Sequence, residues 1–421
     1  MPGRRPWVLV GALTALVVVV ALVTYLLVRS DPYVVPPPAG RVAKPNPAGA
    51  GHALQQLQAA VVARDTDGVA ALAPATDPAA ADLLEAVVAN ADALDVQDFT
   101  ARYVDDVGAV DPAGRWEAAV DLTWRFGGFD KEPVHEEVLV SFELVPGRSV
   151  DDAVGITAFG GGDRRSPLWL SGPVEVRRSA TTLVVATTAA DADLLAGRAE
   201  AAVPVVQDVL SRWTGKLVVE VPAAEEGLDA VLAADPGSYS DIAAVTASVD
   251  GTVTPQSEVH VFVNPDVYDD LEPVGGQVVI SHEATHLATG APLTTGVPLW
   301  LLEGFADYVA LHAVDLPITT TAAQIIEQVR HDGAPDQLPG QAEFDETATH
   351  LGAAYESAWV ACLVLADAGG RTALVRLYEQ VSRGQDLDGE LRDLFGLTEA
   401  ELTARWRQRL TDLAAQSSNG A

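Results

Sequence analysis

Residues 281–287 read Ser-His-Glu-Ala-Thr-His-Leu, and residues 298–308 read Pro-Leu-Trp-Leu-Leu-Glu-Gly-Phe-Ala-Asp-Tyr. On an α-helix, residues four apart share a face, so His282 and His286 can reach one ion while Glu283 stands beside it. The pattern predicts that helix over Gln277 to Thr289, entered after Gly275-Gly276 and stopped at Gly290 before Pro292. A second helix opens at Pro298 and presents Glu303 and Asp307 four apart. Catalytic zinc commonly keeps three protein ligands and one water, which makes Glu303 the natural third ligand beside the two histidines. Asp307, one turn on, can accept the free ring N–H of a ligating histidine and fix its tautomer.

Outward from these helices the pattern divides. Upstream lie a strand at Val174 to Ala186, a long helix at Ala190 to Trp213, and strands at Leu217 to Val221, Ile242 to Val249 and Val259 to Val263, the last ending at Asn264-Pro265. Downstream the periodicity is mainly helical through Leu410, so this region has a sheet-bearing half and a helical half. Further upstream, Leu54, Leu57, Val61 and Val62 form one helical stripe, and Ala79 to Ala91 reads as a second helix. Phe99 to Val104, Trp116 to Phe126, Glu136 to Leu144 and Gly155 to Phe159 then read as strands of a meander, punctuated by Asp111-Pro112, Gly127-Gly128 and Pro146-Gly147. The fold class is α+β. In element order alone, the stretch resembles the cone-shaped fold of nuclear transport factor 2 relatives (NTF2-like).

The motif pair carries a second resemblance. His282-Glu283-x-x-His286 followed by Trp300-Leu-Leu-Glu303-Gly-Phe-Ala-Asp307-Tyr308 is similar to the gluzincin metallopeptidases, and among them to bacterial peptidase MA-like proteins. The likeness runs from about Val174 to Leu410, through a Tyr355-Glu-Ser-Ala-Trp segment and the closing Leu397-Thr-x-x-Glu401-Leu-x-x-x-Trp406, and does not cover residues 1 to 165. It implies Zn2+ held by His282, His286 and Glu303, with Glu283 as general base and then acid towards a zinc-activated water. It also implies a strand beside the cleft that holds an extended peptide, a place that Val259 to Val263 takes in the order. Gluzincins often supply an oxyanion donor from a helix beyond the glutamate ligand; Tyr355 is the candidate, with His350 and His331 behind it. Ala313 to Gly352, rich in turn residues, could form a lid over the cleft.

The remaining sequence sets the surroundings. Residues 7 to 28, an uncharged run of 22, span about 33 Å at helical rise, a membrane-crossing length. Arg29-Ser30-Asp31-Pro32 follows instead of a small-residue cleavage site, which favours an uncleaved anchor over a signal peptide. The reading is then a cytoplasmic tail at 1–6, a transmembrane helix at 7–28, a Pro-rich linker at 29–50, an NTF2-like domain at 51–165 and a peptidase-like domain at 166–415. Basic residues nearly tie across the span, and the C-terminal domains are placed outside the cell. A net charge of -33 argues against nucleic-acid binding. Expected partners are a peptide or protein substrate, the membrane, and a substrate or partner protein docked on 51–165. Cys362, the one cysteine, sits in an apolar run and reads as a buried helix residue. Asp65-Thr-Asp67-Gly68 and Asp386-Leu-Asp388-Gly389 lack the full calcium-loop ligand ladder and read as turns. The rival to an enzyme is a catalytically inactive, membrane-tethered binding protein. A structural zinc site, however, would usually be filled by four Cys or His ligands.

Overall fold

The computed structural model describes residues 44–145, 153–345 and 350–419; the apolar run 7–28 and most of the Pro-rich linker lie outside these. Residues from Pro45 onward form one compact unit of mixed α and β structure with two sheets. Among the described residues one helix, Leu351–Gly369, is long and apolar enough to cross a membrane, and 56% of its apolar window is buried inside this unit.

The first half opens with helices α1 (Pro47–Ala63) and α2 (Pro78–Ala93). Each starts with a proline in its first turn, where the missing N–H costs nothing. The side chains of Asn46 and Asp77 accept the Gly49 and Ala80 amides as N-caps. Strands β1 (Val96–Val107), β2 (Arg115–Phe126), β3 (Val134–Leu144) and β4 (Val154–Phe159) follow as an antiparallel meander in that order. Leu54, Leu57, Leu84 and Val87 from the helices share a core with Trp124, Phe142 and Ile156 from the strands. The Asn90 side chain ties α2 to the connecting segment, donating to the carbonyls of Trp169 and Gly172 and accepting from the Val174 amide.

The second sheet has the order β5-β6-β7-β9-β8, built from β5 (Glu175–Arg178), β6 (Thr182–Ala186), β7 (Leu217–Val221), β8 (Ala244–Ser248) and β9 (Val259–Val263). The stretch Val174 to Ala186, expected as one strand, is a hairpin: the Ser179 side chain accepts the amides of Thr181 and Thr182 and turns the chain. Strands β6, β7 and β9 run parallel, with β8 antiparallel on β9. Both faces of this sheet are covered, which is why these strands read as continuous apolar runs. Val184, Val219 and Val261 face a core shared with helix α3 (Ala189–Val209) and the later helices, while Leu183, Val185, Val218 and Phe262 join the core of the first half. After α4 (Glu225–Leu232) come α5 (Pro273–Thr289), α6 (Leu299–Leu311), α7 (Ala323–Asp332), α8 (Leu351–Gly369), α9 (Arg371–Ser382), α10 (Leu387–Phe395) and α11 (Glu399–Asn419).

Three further sequence expectations need correction. Val259 to Val263, expected to lie beside a cleft, is the interior strand β9, and β8 is the strand at that edge of the sheet. Helix α5 starts at Pro273, before the glycine pair, and Gly276 is needed where the helix meets Tyr268, whose hydroxyl donates to the Gly276 carbonyl. The segment 313–352 is not all lid, since Ile325, Ile326 and Val329 of α7 are buried in the main core. Asp65 and Asp386 are helix N-caps, accepting the amides of Gly68 and Gly389. Helix α6 meets α8 at Gly304, where an added Cβ would lie 2.3 Å from the Ala358 carbonyl oxygen and 3.1 Å from Cys362 Sγ. Cys362 is fully buried there, and burial pushes its thiol well above the usual range.

Candidate metal centre

Helix α5 is buried over Ile280 to His286, lying between α3 and α6 with β8 alongside. Gly290 ends it in the left-handed conformation, at φ 68°. Glu303 and Asp307 face it from α6, which the close Gly304 contact fixes against α8. The side chains converge. His282 Nε2 lies 2.9 Å from His286 Nε2, and each nitrogen lies 3.2 Å from Glu303 Oε2.

The protonation pattern follows from Asp307. Its Oδ1 stands 2.8 Å from His282 Nδ1, and since a carboxylate only accepts, Nδ1 carries a proton and Nε2 is the atom turned to the cluster. Nε2 faces the Glu303 carboxylate and the second imidazole, so without a metal it donates a proton to Glu303, and a bound cation would take that proton's place. A tetrahedral zinc with bonds of about 2.0–2.1 Å separates its ligand atoms by roughly 3.3 Å, close to the triangle seen here. The three residues therefore fit zinc in type, count and spacing. Among the described residues, the buried His286 Nδ1 has no hydrogen-bond partner, so its ring lacks the brace that Asp307 gives His282.

The electrostatics are those of a buried cluster. Burial alone would lift the Glu303 carboxyl, but the imidazoles of His286 and His282 outweigh it and hold Glu303 far below the usual carboxylate range. Burial disfavours the charged form of His282, and the Asp307 and Glu303 carboxylates reverse that, raising it well above an ordinary imidazole. Burial raises the Glu283 carboxyl, opposed by both imidazoles and by Thr246. A buried carboxylate with raised affinity for a proton is suited to taking one up.

Thr246, on edge strand β8, was not singled out by sequence reasoning. Its hydroxyl lies 2.6 Å from Glu283 Oε2 and 3.0 Å from the Glu283 carbonyl oxygen. A threonine in a strand reads as ordinary β propensity, so no sequence signal marked it. The Tyr355 ring stands edge-on to His282 with centroids 6.1 Å apart, and Phe344 packs edge-on to Tyr355 at 5.2 Å. Phe344, within the stretch expected as a lid, thereby packs on the ring that stands beside His282. His331 is exposed on α7 beside Glu327, and His350 is exposed at the start of α8; neither belongs to the cluster of His282, His286 and Glu303.

A second buried cluster also escaped sequence reasoning. His260 on β9 has Nδ1 at 2.7 Å from Glu220 Oε1 and Nε2 at 3.0 Å from Asp130 Oδ1. Two carboxylates can only accept, so both ring nitrogens carry protons and the ring is an imidazolium. Burial works against that charge, and the carboxylates of Asp130 and Glu220 overcome it, raising His260 to about 10. Phe126 stacks on the ring at 5.6 Å. In comparisons with known proteins, no family model matches the chain and no curated protein sequence matches it.

Proposed function

We propose that this chain is a membrane-anchored zinc metallopeptidase of the gluzincin type, with residues 7–28 as its anchor. In this reading the NTF2-like first half docks a substrate or partner protein. The observation that carries the activity is the meeting of three ligand atoms, from His282, His286 and Glu303, around one point beside the buried Glu283. When bound, zinc would supply a Lewis acid that acidifies a water and polarises the carbonyl under attack.

The protein groups divide the remaining work. His282, His286 and Glu303 would hold the ion, and Asp307 keeps the His282 lone pair directed at it. Glu283 takes the proton from the attacking water and returns it to the leaving amine. Tyr355, beside His282, is the proposed donor to the oxygen on which charge develops. Among the described residues strand β8 has no strand on its outer side, so an extended peptide can add to it by main-chain hydrogen bonds.

The test is zinc content and hydrolysis of a mixed peptide library by the full-length chain and by Glu283→Gln. Wild type carrying about one zinc and cutting peptides, with the variant keeping metal and losing cutting, supports the assignment. A folded chain that binds no zinc and cuts nothing is the inactive binding protein instead.

A further inference from the structure

In a chain with 59 acidic and 26 basic residues, five cations line one cavity of about 1060 Å³. Lys131 comes from the β2–β3 connection, Arg212 from the segment after α3, and Arg371, Arg376 and Arg383 from α9 and its end. Two carboxylates share the cavity. Asp208 pairs with Arg371 at 2.7 Å, and Glu379 with Arg383 at 3.5 Å. Lys131, Arg212 and Arg376 have no ion-pair partner among the described residues, so the cavity carries a surplus of three positive charges. A concavity lined by one sign of charge concentrates ions of the other sign. Thr214 adds a hydroxyl to its wall, whereas the hydroxyls of Thr289 and Thr294, also in the lining, donate to the carbonyls of Thr285 and Ala291.

We propose that this cavity binds a soluble, multiply charged phosphate compound. The unpaired cations come from three separate elements, which suits anionic oxygens pointing in several directions better than one planar carboxylate. Arginine is the residue that matches phosphate with paired donors. The probe is inorganic diphosphate, titrated calorimetrically into the full-length chain at low and high salt, with citrate as the carboxylate comparison. Saturable binding of diphosphate, weakened by salt and at least about tenfold by Arg212→Gln with Arg376→Gln, is the expected result. Arg405→Gln, at an exposed position outside the cavity, should leave it unchanged. No saturable binding, equal binding by the double variant, or citrate binding as tightly as diphosphate would each overturn the proposal.

A separate observation concerns Glu283 and rests on the peptidase reading. The Thr246 hydroxyl has one proton to give, and the nearer acceptor is Glu283 Oε2 at 2.6 Å. Both residues are buried. We infer that Thr246 is a positioning residue, which holds the Glu283 carboxylate in one rotamer from the same strand on which the peptide is expected to lie. Misplacement of a base by a fraction of an ångström costs rate and not affinity. Thr246→Val should therefore lower kcat about tenfold or more with KM and zinc content unchanged, and Thr246→Ser should restore it. Wild-type kcat in Thr246→Val, or a raised KM at unchanged kcat, sinks the inference. An active Glu283→Gln enzyme would instead sink the peptidase reading beneath it.

Discussion

Replacing His260 by leucine removes the one positive charge between two carboxylates whose side chains are 1% and 5% exposed, those of Asp130 and Glu220. Breaking a buried ion cluster from one side costs about 3–5 kcal/mol, because the remaining charges stay out of water. The titration of His260 gives the same scale: a rise from 6.5 to about 10 corresponds to about 5 kcal/mol at 1.36 kcal/mol per pH unit. At about 2 °C or somewhat less per kcal/mol for a unit of this size, the melting temperature falls by about 5–10 °C. Because the folded value lies above the unfolded one, the contribution is whole below about pH 6.5 and is lost as pH rises through about 10. The assay is urea unfolding followed by circular dichroism, at pH 6 and pH 9.5, on wild type and His260→Leu. The two proteins should differ by several kcal/mol at pH 6 and converge towards pH 10. A variant within about 1 kcal/mol of wild type at pH 6 would refute the reasoning. Adding Asp130→Asn and Glu220→Gln should recover much of the loss, since no buried charge is then left unpaired.

Other outcomes follow from the packing and from the metal centre. Gly304→Ala places a Cβ 2.3 Å from the Ala358 carbonyl oxygen, so α6 and α8 must separate; we expect a loss of about 1–3 kcal/mol in denaturant titration and weaker zinc retention, because Glu303 precedes the contact. Asp307→Asn keeps the shape but not the charge against His282, and equilibrium dialysis should find zinc held about 10–100-fold more weakly. Asn90→Ala strips three hydrogen bonds from the segment joining the two sheets and should cost about 2–4 kcal/mol by thermal or urea unfolding.

What the sequence revealed was local, and what it hid was long-range. Strands 217–221 and 259–263 were read to the residue because each is a short apolar run bounded by Gly215-Lys216 or by Asn264-Pro265. The helix bearing His282 and His286 and the one bearing Glu303 and Asp307 were legible because four-residue spacing is a property of one helix. The turn at Ser179 was missed because it lacks glycine and proline and is made instead by a serine side chain. Strand order is not written in any single strand, so β8 could not be told from β9 as the edge. His260 finds its partners 40 and 130 residues away, beyond any periodicity. Thr246 reaches Glu283 across 37 residues for the same reason.

The solitary thiol of Cys362, sealed beneath Gly304, gives the chain a built-in reporter. A thiol reagent can reach it only when α6 lifts from α8 or when the whole unit unfolds, and burial suppresses the reactive thiolate until then. Since Glu303 adjoins that contact, the rate at which native protein is labelled, compared with and without zinc, would time how often the seam behind the metal centre opens. No second cysteine competes for the label, so the wild-type sequence can be used without alteration.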